Sequence, residues 1–153
     1  MQWVSITIDN VLSSITENER EKFSKVSTTQ AVPDRIVPII ADMVAEIRGY
    51  IATWHPNTLS ADPVLIPPSM RARALAVIRW RLLLTIPGYS PGDERKLEFE
   101  KADSYFLLVA KGTIRPEPAD DAVPTNVPAE QSAGITVVSA PPKRTGRANM
   151  NGM

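Results

Sequence analysis

The aromatic residues stop at Phe106, and the sequence beyond Gly112 has a different composition from what precedes it. The last 41 residues, Thr113 to Met153, hold six of the fourteen prolines (116, 118, 124, 128, 141 and 142) and no Trp, Tyr or Phe. So few large apolar groups cannot offset an ordering cost of roughly 1 to 2 kcal/mol per residue. The sequence therefore predicts a compact domain over 1–112 and an extended arm over 113–153. A domain of that size buries roughly two thirds of its unfolded surface, enough for a helical bundle without staples. Glu117, Asp120 and Asp121 read as solvating charge within the arm.

The longest periodic segment starts at Ile36. Ile36, Ile40, Met43, Ile47, Tyr50 and Trp54 recur at spacings of four and three, and Val37, Val44 and Ile51 form a second row. This predicts an amphipathic helix of about 20 residues, roughly 30 Å long, closed by His55-Pro56. Pro67-Pro68-Ser69 opens a further helix, apolar nearly all round from Ala74 to Ile86, which belongs at the centre of the bundle. Pro87-Gly88 stops it. Ser90-Pro91 reads as the start of a last helix and Gly112 as its left-handed cap. The charged half of that helix, Asp93 to Lys101, is expected to be solvated and to project from the body; the apolar half, Ala102 to Ala110, is expected to dock. Two short helices precede these, one capped by Asp9 and one opened by a Thr16/Glu19 capping box. The fold class predicted is all-α: three long helices, short N-terminal helices and a C-terminal arm.

With 17 basic and 17 acidic residues the net charge is zero, which disfavours nucleic-acid binding as the main task. Absence of cysteine excludes disulfides and thiolate metal sites. No charged leader with an apolar run opens the chain and no apolar stretch approaches the roughly 20 residues a bilayer requires, so neither export by a standard signal nor a membrane span is expected. The single histidine, His55, sits before a proline, where capping or exposure is a better reading than general-base chemistry. There is no glycine-rich phosphate loop. The expectation is a non-enzymatic protein without cofactor or metal.

Arg71, Arg73, Arg79 and Arg81 lie on one helix with no acid between them. They read either as a face for an acidic partner or passing DNA, or as a solvated flank whose stems cover apolar surface. Trp54 and Trp80 read as core aromatics. Within the arm, Ile135, Thr136, Val137 and Val138 form a β-prone run suited to strand addition on another chain, ended by Pro141-Pro142. Lys143, Arg144 and Arg147 follow as a small basic cluster.

The order of parts carries a resemblance. A long helix ending in Ala45-Glu-Ile-Arg-Gly-Tyr-Ile-Ala-Thr-Trp-His-Pro leads through a proline loop into Ile66-Pro-Pro. An alanine-rich helix through Ile78-Arg-Trp-Arg-Leu and a helix closing on Ala110-Lys-Gly-Thr-Ile follow. With the tail Ala140-Pro-Pro-Lys-Arg-Thr-Gly-Arg-Ala-Asn-Met-Asn-Gly-Met, the chain resembles the head-to-tail connector (neck adaptor) proteins of Mu-like tailed bacteriophages over most of residues 9–153. Two departures are a poorly matching N-terminal 25 residues and Thr145 in place of a large apolar residue. The resemblance implies a structural virion protein forming a ring, commonly twelvefold, between the portal and the tail-side neck or tail-terminator proteins. Genomic DNA would pass through its lumen without sequence-specific contact. It further implies that Ile135, Val137, Val138, Pro141, Pro142, Lys143, Arg144, Arg147 and Met150 bind partners, and that Arg71, Arg73, Arg79 and Arg81 face the portal or DNA. The competing expectation is a soluble phage-encoded regulator or inhibitor that binds one partner through its arm.

Overall fold

The structure is a computed structural model that describes residues 1–26 and 32–122. It is all-α, with five α-helices among the described residues: α1 (Ile8–Ser14), α2 (Glu17–Val26), α3 (Val32–Trp54), α4 (Arg71–Leu84) and α5 (Asp93–Ala110). Single 3-10 turns at Pro56–Thr58 and Pro68–Met70 bracket the loop between α3 and α4.

α4 is the central element, packed against α5, α3 and α1. Its Ala74, Val77, Ile78, Leu82 and Leu83 are all buried, as a helix apolar on nearly every side requires. Ile36, Met43, Val44, Ile47 and Ile51 carry the apolar stripe of α3 into the same core, and Ala102, Phe106 and Val109 that of α5. Tyr50 of α3 stacks on Phe106 with ring centroids 6.2 Å apart, and Trp80 of α4 stacks on Phe99 at 5.4 Å. Pro38, the seventh residue of α3, lies inside the helix and has no N–H to give to the carbonyl of Asp34, so one bond of the ladder is lost there.

Several ends differ from expectation. α1 is capped by Thr7, not Asp9: the Thr7 hydroxyl accepts from the Asn10 N–H, and the Asn10 side chain accepts from the Thr7 N–H. The Thr16/Glu19 box forms as expected, with Thr16 N to Glu19 Oε2 at 2.8 Å. α5 begins at Asp93 with Gly92 as its cap, two residues beyond Ser90. Its C-terminus closes on Gly112 at φ 74°, where Gly112 N–H donates to Val109 O and Thr113 N–H to Leu108 O. That pair of bonds satisfies two orphan carbonyls and turns the chain back along the body.

The charged half of α5 does not project. Arg95 donates twice to Glu19 of α2, Nε–Oε1 at 3.0 Å and Nη2–Oε2 at 3.1 Å, and Glu98 pairs with Arg79 of α4. Charges on three helices neutralise one another, so the segment docks by ion pairs together with the stack of Phe99 on Trp80, while most of its other residues stay exposed. The apolar half, in turn, is only partly covered: Leu107 and Leu108 remain exposed. Trp54 is also exposed, at 59%, while the buried indole is that of Trp3.

Residues 113–122, read from composition as the start of the arm, pack on the body. Pro116 and Ala119 are buried. The Trp3 indole N–H donates to Glu117 O at 2.9 Å, the Ala119 N–H donates to Thr58 O at 3.1 Å, and the N-terminal ammonium pairs with Asp120. The arm expected from 123 onward lies outside the described residues.

Candidate binding surface

The last described residues of the closing segment are held by the α3–α4 loop. Arg48, on α3, points into that loop and donates to three of its carbonyls: Ser60 O at 2.8 Å, Asp62 O at 3.0 Å and Leu65 O at 3.1 Å. Burial lowers the guanidinium's pKa, and Asp62 and Asp121 act in the opposite sense. The fixed loop then receives the closing segment. The Ser60 hydroxyl donates to Asp121 Oδ2 at 2.7 Å and the Ala61 N–H to the same oxygen at 3.2 Å. The Ser60 hydroxyl bond, with backbone N–H donors beside it, holds the Asp121 carboxylate below its usual range against a weaker effect of burial. An antiparallel bridge between Ser60 and Ala122 completes the anchor.

Beside this anchor runs an apolar groove of about 400 Å³. Val37, Ile40, Ala41, Val44 and Ala45 of α3 form its floor; Ser5 and Ile6 lie on one side and Pro63 and Val64 on the other. Val37 and Val64 are 52% and 54% exposed. At about 100° per residue, the floor sits on a different flank of α3 from Met43 and Tyr50, which face α4 and α5. The N-terminal wall is an extended segment tied to the loop by the Val4–Ile66 bridge, with N–O distances of 2.9 and 3.0 Å. Ser5, the next residue, has neither main-chain group in a hydrogen bond with the described residues.

A second surface lies along the outer face of α5. Leu97, Lys101, Ser104 and Leu108 share one stripe at spacings of four and three, flanked by Tyr105 and by Arg73 of α4. Leu97 and Leu108 are 51% and 39% exposed.

The four arginines of α4 do not share a face. Arg79 reaches Ser14 O at 2.8 Å and Glu98, and its side chain is only 12% exposed. Burial lowers its pKa, and Glu98 counters that in part. Arg81 turns to α3 and pairs with Glu46 at 2.7 Å. Arg73 donates to Ser69 O and lies 3.8 Å over the Tyr105 ring. Arg71 borders a shallow surface hollow with Gln2, Trp3 and Asn10. Arg79 and Arg81 are thus spent on holding helices together, whereas Arg71 and Arg73 stand near the surface. Ile135, Val137, Val138, Pro141, Pro142, Lys143, Arg144, Arg147 and Met150 lie outside the described residues.

Reading the sequence alone missed Arg48 and Trp3. Arg48 lies on the opposite side of α3 from Glu46, and no local pattern marks the loop carbonyls 12 to 17 residues further on that it reaches. Trp3 carries no local signal either, because its partner is 114 residues away.

His55 caps the 3-10 turn at Pro56–Thr58 through its backbone, and its Nε2 has no hydrogen-bond partner among the described residues. Also among the described residues, no group of three or more His, Asp or Glu side chains is placed to hold a metal ion. None of the described helices is long and apolar enough to cross a membrane. Comparison with protein-family models, with curated proteins and with solved structures gives no match.

Proposed function

We propose that this protein is a structural, non-enzymatic head-to-tail connector of a tailed phage, forming a ring between the portal and the tail-side neck proteins. The observation that carries the reading is the α5 stripe of Leu97, Lys101, Ser104 and Leu108, whose two leucines stay exposed among the described residues. A head-to-tail ring needs such a face on every copy, since each subunit covers its neighbour and closure repeats the contact. Modest interfaces then hold jointly. The order of helices and the tail sequence that resemble the neck adaptors supply the functional class. On this reading the residues from 123 onward engage neighbouring proteins through Ile135, Val137 and Val138 and the basic cluster Lys143, Arg144 and Arg147. Arg71 and Arg73 are the arginines left to face the portal or DNA, because Arg79 and Arg81 hold helices together.

The test is a count of copies in purified virions together with a chain ended after Ala122. A connector is present at about a dozen copies, and the shortened chain keeps its helical circular dichroism while heads and tails no longer join. Absence from virions would overturn the reading in favour of a soluble regulator.

A further inference from the structure

We propose that the apolar groove on α3 is the seat of the chain's own segment Ile135–Val138, added as an extended strand along Ser5. Three observations point to this occupant. First, the described residues end beside the groove: Ala122 is bridged to Ser60, three residues before Pro63 in the groove wall. The twelve residues 123–134 can span up to roughly 40 Å, whereas three residues of loop cover about 10 Å, so the tether is ample. A tether this short gives an effective concentration in the millimolar range, which favours the chain's own segment over one from another molecule.

Second, the groove matches the segment chemically. Its floor is Val, Ile and Ala, and alternation along a strand turns Ile135 and Val137 to one face and Thr136 to the other. Val37 and Val64, now more than half exposed, would be covered. Third, the main-chain groups of Ser5 are unpaired among the described residues, and an added strand needs such an edge. Seating the run also shields a β-prone stretch that would otherwise pair with other copies. A partner that takes the same residues has to draw them out of the groove first.

The chain contains no cysteine, so introduced pairs report cleanly. In the full-length protein, Val64→Cys is combined in turn with Ile135→Cys, Thr136→Cys, Val137→Cys and Val138→Cys, and disulfide closure is followed under mild oxidation. Positions 135 and 137 close within one chain about tenfold faster than 136 and 138, following strand alternation. Adding Ala41→Arg, which fills the groove floor from an exposed position, removes that difference. Equal rates at all four positions, or disulfides formed only between chains, would overturn the proposal. The connector reading would survive such a result, because it is tested by virion copy number and joining of heads to tails.

Discussion

The α3–α4–α5 layer and the closing segment 113–122 are both fixed in place, but by opposite means. In the layer, Ile47, Ile51, Ile78, Leu82 and Val109 are fully buried, and position follows from removing apolar surface from water. In the closing segment the apolar contribution is small, with Pro116 and Ala119 buried and Ile114 and Ala122 packed at the core's edge, and order comes largely from hydrogen bonds to Trp3, Thr58, Ser60 and Ala61. The difference teaches that a segment too poor in apolar residues to fold can still be held when a folded loop offers it fixed donors and acceptors. Arg48 supplies that rigidity from beneath.

The largest effect should come from the layer. Phe106 is buried between Tyr50 and Tyr105, so Phe106→Ala should cost about 4 kcal/mol, read as a lowered midpoint in urea denaturation. If it cost no more than a surface change, the stacked rings would not be the centre of the layer. Trp3 belongs to both regions, being buried against the body and bonded to Glu117. Trp3→Ala should cost about 3 kcal/mol and expose amides 114–122 to hydrogen exchange. Trp3→Phe keeps most of the apolar bulk and loses the N–H, so it should cost about 1 kcal/mol while still releasing the segment around Glu117. If Trp3→Phe left exchange there unchanged, the apolar contact rather than the hydrogen bond would hold the segment.

The charged half of α5 sharpens the comparison, since polar contacts place it alongside the single aromatic stack of Phe99 on Trp80. Burial pushes the Glu19 carboxyl up, but Arg95 and the Thr16 bonds together outweigh it and hold the group below its usual value. Its folded pKa therefore lies below the unfolded one. The stabilisation is complete above the unfolded value, near pH 4.3, and is lost as pH falls through the folded value. Glu19→Gln should cost about 2 kcal/mol at pH 7, and the gap from the unaltered protein should narrow as pH drops below about 4. A gap that stayed constant down to pH 2 would show that Glu19 acts as a packed side chain and not as a charge.

What could be read from the sequence divides along the same line. Helix periodicity and caps are local, and they place α3, α4, the Thr16/Glu19 box and the Gly112 turn, because each depends on residues within a few positions. The closing segment and the docking of Asp93–Lys101 depend on partners remote in sequence: Glu117 on Trp3, Asp121 on Ser60, Arg95 on Glu19. Composition records that these residues are charged and cannot record that a fixed counterpart waits for them. Trp54 fails for a related reason. Its spacing on the stripe of α3 is right, but the helix outruns the core there and the indole lies over Gly112 in the open.

The smallest effects come from glycines, and two of them should shift stability in opposite directions. Gly112 has φ 74°, and a Cβ there would meet Trp54 Cγ and Cδ2 at 3.1 Å. Gly112→Ala thus combines left-handed backbone with a crowded neighbour and should cost about 1 to 2 kcal/mol, lowering the thermal midpoint by several degrees. Gly49 lies inside α3, exposed, and a methyl group added there would meet nothing within 4 Å, so Gly49→Ala should stabilise by about 0.5 to 1 kcal/mol. Trp54→Ala separates the two contributions at Gly112. In that background the contact is gone and only the backbone term remains, so the cost of Gly112→Ala should fall towards about 1 kcal/mol. An unchanged cost would mean that the exposed indole swings aside freely and that the turn out of α5 is set by the glycine's backbone alone.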